Sequence, residues 1–276
     1  MEDRRVAIIG AGLADRIRSL GFEVHDLGDV GTAVPEAVAP GDERARFLPE
    51  ILETCAHVAD LVEEATSDGR LPLVLGGDHS VALGSLGGMA SAHGPGTVLW
   101  IDAHADMNTP ETSPSGNVHG MPLAAALGLG GSLFADVRFP LPAVDRAAIV
   151  AVRSVDQGER ELLRSVGVKV FTMTDVDRLG IEPVVHESLA HLAGAPFVHI
   201  SLDLDAIDPE AAPGVGTPVR GGLSYREAHL AMELVAESGL AASMDVVEVN
   251  PILDRENETG KLAVELVASA LGARIL

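Results

Sequence analysis

Apolar residues along this chain fall into two spacings that alternate. Short runs rich in apolar residues, several of them unbroken, recur at Val6–Gly10, Phe22–Leu27, Leu71–Leu75, Val98–Ile101, Ile149–Val152, Val168–Thr172, Phe197–Leu202 and Ala242–Val249. Runs of this length without polar interruption read as strands covered on both faces. Between them lie stretches with apolar positions at helical spacing: Leu13–Leu20, Phe47–Ser67, about 81–92, Ile181–Leu192, Tyr225–Ser238 and Thr259–Leu271. Residues 31–45, rich in Pro, Gly and charge, read as a surface loop. Strand runs separated by helical stretches predict βαβ units and a mostly parallel sheet. No linker divides the chain and no internal repeat appears, so residues 1–276 are expected to form one domain.

Composition sharpens this picture in three places. Hydrophobic content of 47% comes from Ala, Val and Leu, with aromatics at only 3%, which suits helices packed on a parallel sheet. The formal charge of −22 argues against nucleic acid and anionic membrane as partners, since both need clustered Lys and Arg; it is compatible with a cationic substrate. The lone cysteine, Cys55, excludes an internal disulfide and reads as a buried, inert thiol in a reducing compartment. No basic leader and no apolar run of about 18 residues is seen, so a soluble cytoplasmic protein is expected. The stretch IIGAGLAD has Gly10 and Gly12 of a dinucleotide fingerprint but Asp15 at the third glycine position, which argues against nicotinamide or flavin.

The chemistry gathers at the ends of the strand runs. In VLWIDAHADMN, Asp102, His104 and Asp106 follow a strand at a spacing of two, so in an extended chain all three leave on one face. Asp203 and Asp205 in SLDLDAIDP repeat that spacing, and GGDHS brings His79 to a third strand end. Four carboxylates and two imidazoles are too many for one ion and suit two divalent cations. Oxygen-rich ligation without thiolate favours Mn²⁺ over Zn²⁺. Asp78, beside His79, is a candidate to orient that ligand.

GGDHS, DAHAD and SLDLDAIDP in this order resemble the ureohydrolases, the binuclear manganese amidino hydrolases. The segment NTPETSPSGNVHGMPLAAALG (108–128) is similar to the arginases among them, and the likeness is greatest to bacterial ones. The resemblance implies a three-layer α/β/α fold around an eight-stranded, mostly parallel sheet, with His79, Asp102, His104, Asp106, Asp203 and Asp205 holding two manganese ions. It implies hydrolysis of L-arginine to L-ornithine and urea. Asn108, Ser115 and Asn117 would then bind the α-carboxylate side of the amino acid and Asp156 its α-ammonium, with Glu159 assisting through water. Glu248 would receive the guanidinium, Asp106 would pass a proton to the leaving nitrogen, and His119 would shuttle protons to solvent. Thr217 would line the same pocket. Homo-oligomers, trimers or hexamers, are implied as well. Two other readings remain open: an agmatinase or guanidinobutyrase type of amidino hydrolase, or a metal-binding homologue with little catalysis. The last is prompted by Ile9-Gly10 passing almost directly into Gly12, where arginases carry a Gly-rich, Arg-containing loop. That departure bears on substrate affinity and leaves metal ligation untouched.

Overall fold

Strand β2 (Gly96–Ile101) shows how the sheet is built. All six of its residues are buried, and they alternate between two cores: Leu99 and Ile101 face one, Val98 and Trp100 the other. A strand buried on both faces needs helices on both sides, which is why its run carries no polar alternation. The structure, a computed structural model, describes residues 11–274. Within them the strands are β1 (Leu73–Leu75), β2, β3 (Val144–Val152), β4 (Lys169–Thr172), β5 (Val198–Asp203) and β6 (Ala241–Val247). They form one sheet in the order β1-β6-β5-β2-β3-β4, and every pairing is parallel.

Helices cover both faces, giving the expected α/β/α layering. Against one face pack α1 (Leu13–Ser19), α6 (Met173–Leu179), α7 (Ile181–Leu192), α8 (Tyr225–Ser238) and α9 (Glu258–Ala270). Against the other pack α2 (Leu48–Ser67), α3 (Ala82–His93), α4 (Pro122–Ala126) and α5 (Gln157–Ser165). The α2/α3 contact is unusually close because α3 offers glycines there. A Cβ on Gly88 would stand 2.8 Å from Val62 Cβ, and one on Gly84 would stand 2.8 Å from Val58 Cβ. Cys55 lies in this seam, where Sγ donates to the Ser80 carbonyl at 3.3 Å and burial pushes the thiol up to about 12. No helix among the described residues is long and apolar enough to cross a membrane.

Several features differ from the sequence reading. The sheet has six strands among the described residues, not eight. The expected strand Val6–Gly10, with Gly10 of the glycine pair, lies outside the described residues. The run Phe22–Leu27 forms no strand among the described residues, and Phe22 and Leu27 are exposed. An extended run becomes a strand only when an adjacent backbone completes its hydrogen bonds, and composition does not supply one. Helices α4, α5 and α6 were not anticipated, being short segments beside sharper signals. The last strand also ends earlier than expected, because Glu248 takes a left-handed φ of 66° that extended pairing cannot accommodate.

Because the strands run parallel, their carboxyl ends share one edge of the sheet. The neighbouring positions β1, β6, β5 and β2 deliver there, respectively, the Gly76–His79 turn, Glu248, Asp203 with Asp205, and Asp102 to Asp106. Adjacent β3 delivers Arg153 to Glu159. A crevice at this edge is where ligands of open α/β sheets bind.

Two outcomes test this packing. Gly88→Ala is expected to destabilise the protein by about 1–3 kcal/mol through overpacking against α2, read as a lower midpoint in chemical denaturation. Cys55 in the native protein should resist alkylation at pH 8 and react only once the chain is unfolded; rapid native labelling would contradict the buried seam.

Candidate metal and active site

The groups at this edge meet around two shared foci. His79 Nδ1 lies 3.1 Å from Asp102 Oδ2, 3.2 Å from Asp106 Oδ2 and 3.2 Å from Asp203 Oδ2. His104 Nδ1 lies 3.0 Å from Asp205 Oδ2 and 3.5 Å from Asp102 Oδ1. Two sets of ligand atoms are therefore close enough to hold a cation: His79, Asp102 and Asp106, and Asp102, His104 and Asp205. Asp102 belongs to both, offering one oxygen to each, and Asp203 borders the first.

Local backbone geometry aims these side chains. Asp102 Oδ1 accepts from His104 N at 2.6 Å, and Asp203 Oδ1 accepts from Asp205 N at 2.7 Å, so each carboxylate closes a turn onto the amide two residues on. Asp205 Oδ1 accepts from Ala103 N at 3.2 Å, tying the two loops together. Asp106, like Glu248, has a left-handed φ, here 51°. Such strained non-glycine positions cost about 1–3 kcal/mol each and gather where function demands a particular side-chain direction.

Electrostatics show that the cluster is unstable as a set of bare charges. Burial and the Asp102 charge push Asp106 up to about 8, while burial and Asp205 raise Asp203 well above the usual carboxylate range. Asp205 is raised by burial and by Asp102. Asp102 itself is held low, its burial outweighed by His104 and His79. Burial opposes charging of both imidazoles, yet their carboxylates prevail: His104 is pushed up to about 11 and His79 well above its ordinary value. Without a cation the cluster must hold protons to lower its own repulsion. His79 Nδ1 is buried and makes no hydrogen bond of acceptable geometry, although three carboxylates surround it. An orphaned imidazole nitrogen facing hard oxygen donors fits a divalent cation.

Some supporting residues were invisible in the one-dimensional reading. The Trp100 ring stacks on His79 with centroids 4.0 Å apart, and its Nε1 donates to Asp102 Oδ2 at 2.9 Å. Ser201 Oγ sits 2.8 Å from His79 Nε2. The spacing of two from Ser201 to Asp203, and from Trp100 to Asp102, was the available signal for both. Arg153 reaches the turn after Asp205, donating to the Asp205 and Val219 carbonyls, each at 2.7 Å.

The remaining expected residues fall around this core in different ways. Glu248 is buried, and its Oε1 accepts from His79 N at 2.9 Å, so it borders the centre. His119 is half-buried in a short turn, Val118–Gly120, that packs against the turn carrying His79. Thr217 donates to Asp205 Oδ2 at 2.9 Å, which ties it to a carboxylate of the cluster. Asn108 is buried with both ends of its amide engaged: Nδ2 donates to Asp156 Oδ2 at 3.1 Å and Oδ1 accepts from Thr112 at 3.0 Å. Glu159 is buried too, accepting from Asp156 N at 2.8 Å and Met107 N at 3.1 Å, so it clamps α5 to the loop after β2. Asp156, Ser115 and Asn117 are exposed. Gly116 between the last two has a φ of +69°, and any Cβ there would run into the Glu43 carbonyl, so this loop requires glycine. Asp78 caps the His79 turn by accepting from Ser80 N at 3.0 Å, an indirect form of the orienting part expected of it.

Comparison with known proteins bears on the chain as a whole. A model described as the arginase family matches residues 5–272. An arginase of Bacillus subtilis is 47% identical, with 98% of this chain and 91% of that protein covered. The native crystal structure of Bacillus caldovelox arginase superposes with a TM-score of 0.95 at 46% identity, covering 99% of this chain and 92% of that one. A structure of Entamoeba histolytica arginase in complex with L-ornithine matches with a TM-score of 0.84 at 32% identity, covering 96% and 90%.

Cation binding should be visible as stability. A divalent cation at about 100 times its dissociation constant is expected to stabilise the protein by about 2.7 kcal/mol, seen as a higher melting temperature that chelation by EDTA reverses. Asp102→Asn, which damages both sets of ligands, should remove the effect more completely than Asp205→Asn, which damages one. A melting curve indifferent to cations would rule out the metal reading.

Proposed function

Because the chain belongs to the arginase family, a family of hydrolases acting on guanidino C–N bonds, we propose that it hydrolyses L-arginine to L-ornithine and urea. Two manganese ions held by His79, Asp102, His104, Asp106, Asp203 and Asp205 complete the centre. The observation that carries this reading is the pair of ligand sets sharing Asp102 at the carboxyl edge of the sheet. Oxygen donors outnumber imidazoles four to two, which favours manganese over softer metals.

A guanidinium carbon is a poor electrophile, because its charge is spread over three nitrogens. The chemistry that a bound cation pair supplies is acidification of water, so that hydroxide is available near neutral pH. Glu248 accepts hydrogen bonds from the planar substrate cation and fixes it over the centre, an orientation effect worth several kcal/mol. Its Oε1 is anchored by His79 N, and Oε2 lies toward Gly216, where a Cβ would stand 3.7 Å away. Asp106 transfers the proton to the departing nitrogen. His119, on a half-buried turn beside the His79 turn, exchanges protons with solvent. Ser115 and Asn117, exposed on the loop that Gly116 shapes, donate to the substrate carboxylate; such charge-assisted bonds suit neutral donors. Asp156 receives the α-ammonium, with Asn108 and Glu159 holding it in place and Thr217 bracing Asp205. We further propose one domain over the whole chain, a reducing cytoplasmic setting consistent with the buried free Cys55, and a trimeric or hexameric assembly.

Urea release in the presence of Mn²⁺ tests this directly. L-arginine should be turned over far faster than agmatine, which lacks the α-carboxylate. His119→Ala should lower kcat by about 100-fold or more, and Asp106→Asn by at least as much. Faster turnover of agmatine would assign the chain to another amidino hydrolase activity. No turnover with intact metal uptake would leave a binding protein.

A further inference from the structure

Arg153, the first residue after β3, is half-buried beside the Asp205 turn, and the chemistry above gives it no part. Its guanidinium donates to backbone carbonyls alone. Nη2 reaches those of Asp205 and Val219, each at 2.7 Å, and Nε reaches Val219 again at 3.2 Å. Nη1 donates to Ala206 at 3.1 Å and to Ala151 at 3.3 Å. A rigid fork of five donors can join carbonyls from three segments, which the single ammonium of a lysine cannot. Here the fork closes the neck of the loop 206–223. The two ends of that loop also pair directly: Leu223 N donates to Ala206 O at 3.0 Å, and Asp208 N to Leu223 O at 2.9 Å. Gly222 leaves room for the fork, since a Cβ there would stand 2.6 Å from Arg153 Nη2 and 2.7 Å from the Ala206 carbonyl oxygen.

Both hydrogen bonds to the Asp205 carboxylate lead back to this residue. Oδ2 accepts from Thr217, which lies two residues before the Val219 carbonyl that the guanidinium holds. Oδ1 accepts from Ala103 N, and the Ala103 carbonyl accepts in turn from Arg153 N at 2.8 Å. His79 and Asp106, which complete the other set of ligand atoms, have no hydrogen bond to Arg153 among the described residues. Charge and geometry work in opposite directions here. A positive charge near cation ligands opposes cation binding, whereas a clamp that aims Asp205 favours it. We propose that Arg153 is a positioning residue: it closes the 206–223 loop so that Thr217 and Asp205 meet, and so sets the cation affinity of the Asp102, His104 and Asp205 set. This inference rests on the reading of those three residues as cation ligands.

Calorimetric titration of the full-length apo protein with Mn²⁺ tests it, with Asp205→Asn marking which binding event belongs to that set. Arg153→Lys keeps the charge and loses the fork. It should weaken the marked event by about tenfold, the size expected when a ligand loses its outer support, and leave the other event within twofold. Gly222→Ala, which crowds the same neck and alters no ligand, should do likewise. Equal weakening of both events in Arg153→Lys would mean a general loosening and would overturn the proposal. A marked event within twofold of wild type, or tighter, would overturn it too. If Arg153→Lys does not fold, Gly222→Ala decides by the same readings. A wild-type protein that takes up no Mn²⁺, or uptake that Asp205→Asn leaves unchanged, refutes the metal reading itself, and this inference with it.

Discussion

Four carboxylates crowded at one edge of a sheet, nearly all withdrawn from water, are the constraint that the rest of the molecule serves. Burying even one charge without compensation costs several kcal/mol, and neighbouring like charges add to that. The fold answers with donors rather than exposure. Backbone amides of Ala103, His104 and Asp205, the Trp100 indole and the Thr217 hydroxyl each donate to a cluster carboxylate. What these donors leave uncompensated is the repulsion that raises Asp106, Asp203 and Asp205. A divalent cation held there would offset that repulsion, so the proposed chemistry of the site and its stability share one origin.

Delivering the donors requires the parallel sheet. Parallel strands put all carboxyl ends on one side, and the order β1-β6-β5-β2 makes neighbours of segments far apart in the chain. His79 is the candidate ligand that depends most on packing beyond the sheet. Its turn is capped by Asp78, packs on α2 beside Cys55, and is pinned from the opposite side by Glu248. The glycines of α3 that admit α2 so closely are thus part of how a ligand reaches its place. A chain with few aromatics and many small residues suits such tight helix contacts.

The rim of the site follows a different logic. Glu159 uses both oxygens to join α5 to the loop after β2, and Asn108 uses both ends of its amide inside the same region. Buried polar groups with all partners satisfied make a rigid frame. Ser115, Asn117 and Asp156 stand on that frame, exposed. Arg153 frames the other side by gathering carbonyls from the Asp205 turn and Val219. Contacts to a small polar substrate depend on such frames, because misplacement by about 1 Å is enough to lose much of an orientation effect.

Local pattern alone determined a good deal. A period of two after a buried run is a property of a few adjacent residues, so Asp102, His104, Asp106, Asp203 and Asp205 could be picked out as a group at strand ends; the extended backbone assumed for them is replaced by turns after Asp102 and Asp203, which bring the side chains together instead. The helical stretches 47–67, 181–192 and 225–238 were legible for the same reason, since their spacing repeats over several turns. Tertiary structure decided everything that needs a distant partner. Whether Phe22–Leu27 becomes a strand depends on an adjacent backbone, and Asp102 serves both ligand sets only because β5 lies against β2. Trp100 and Ser201 look like ordinary strand residues until His79 arrives from β1. Spacing along a chain specifies direction, but which groups meet is set by packing and strand order, and these are properties of the whole fold.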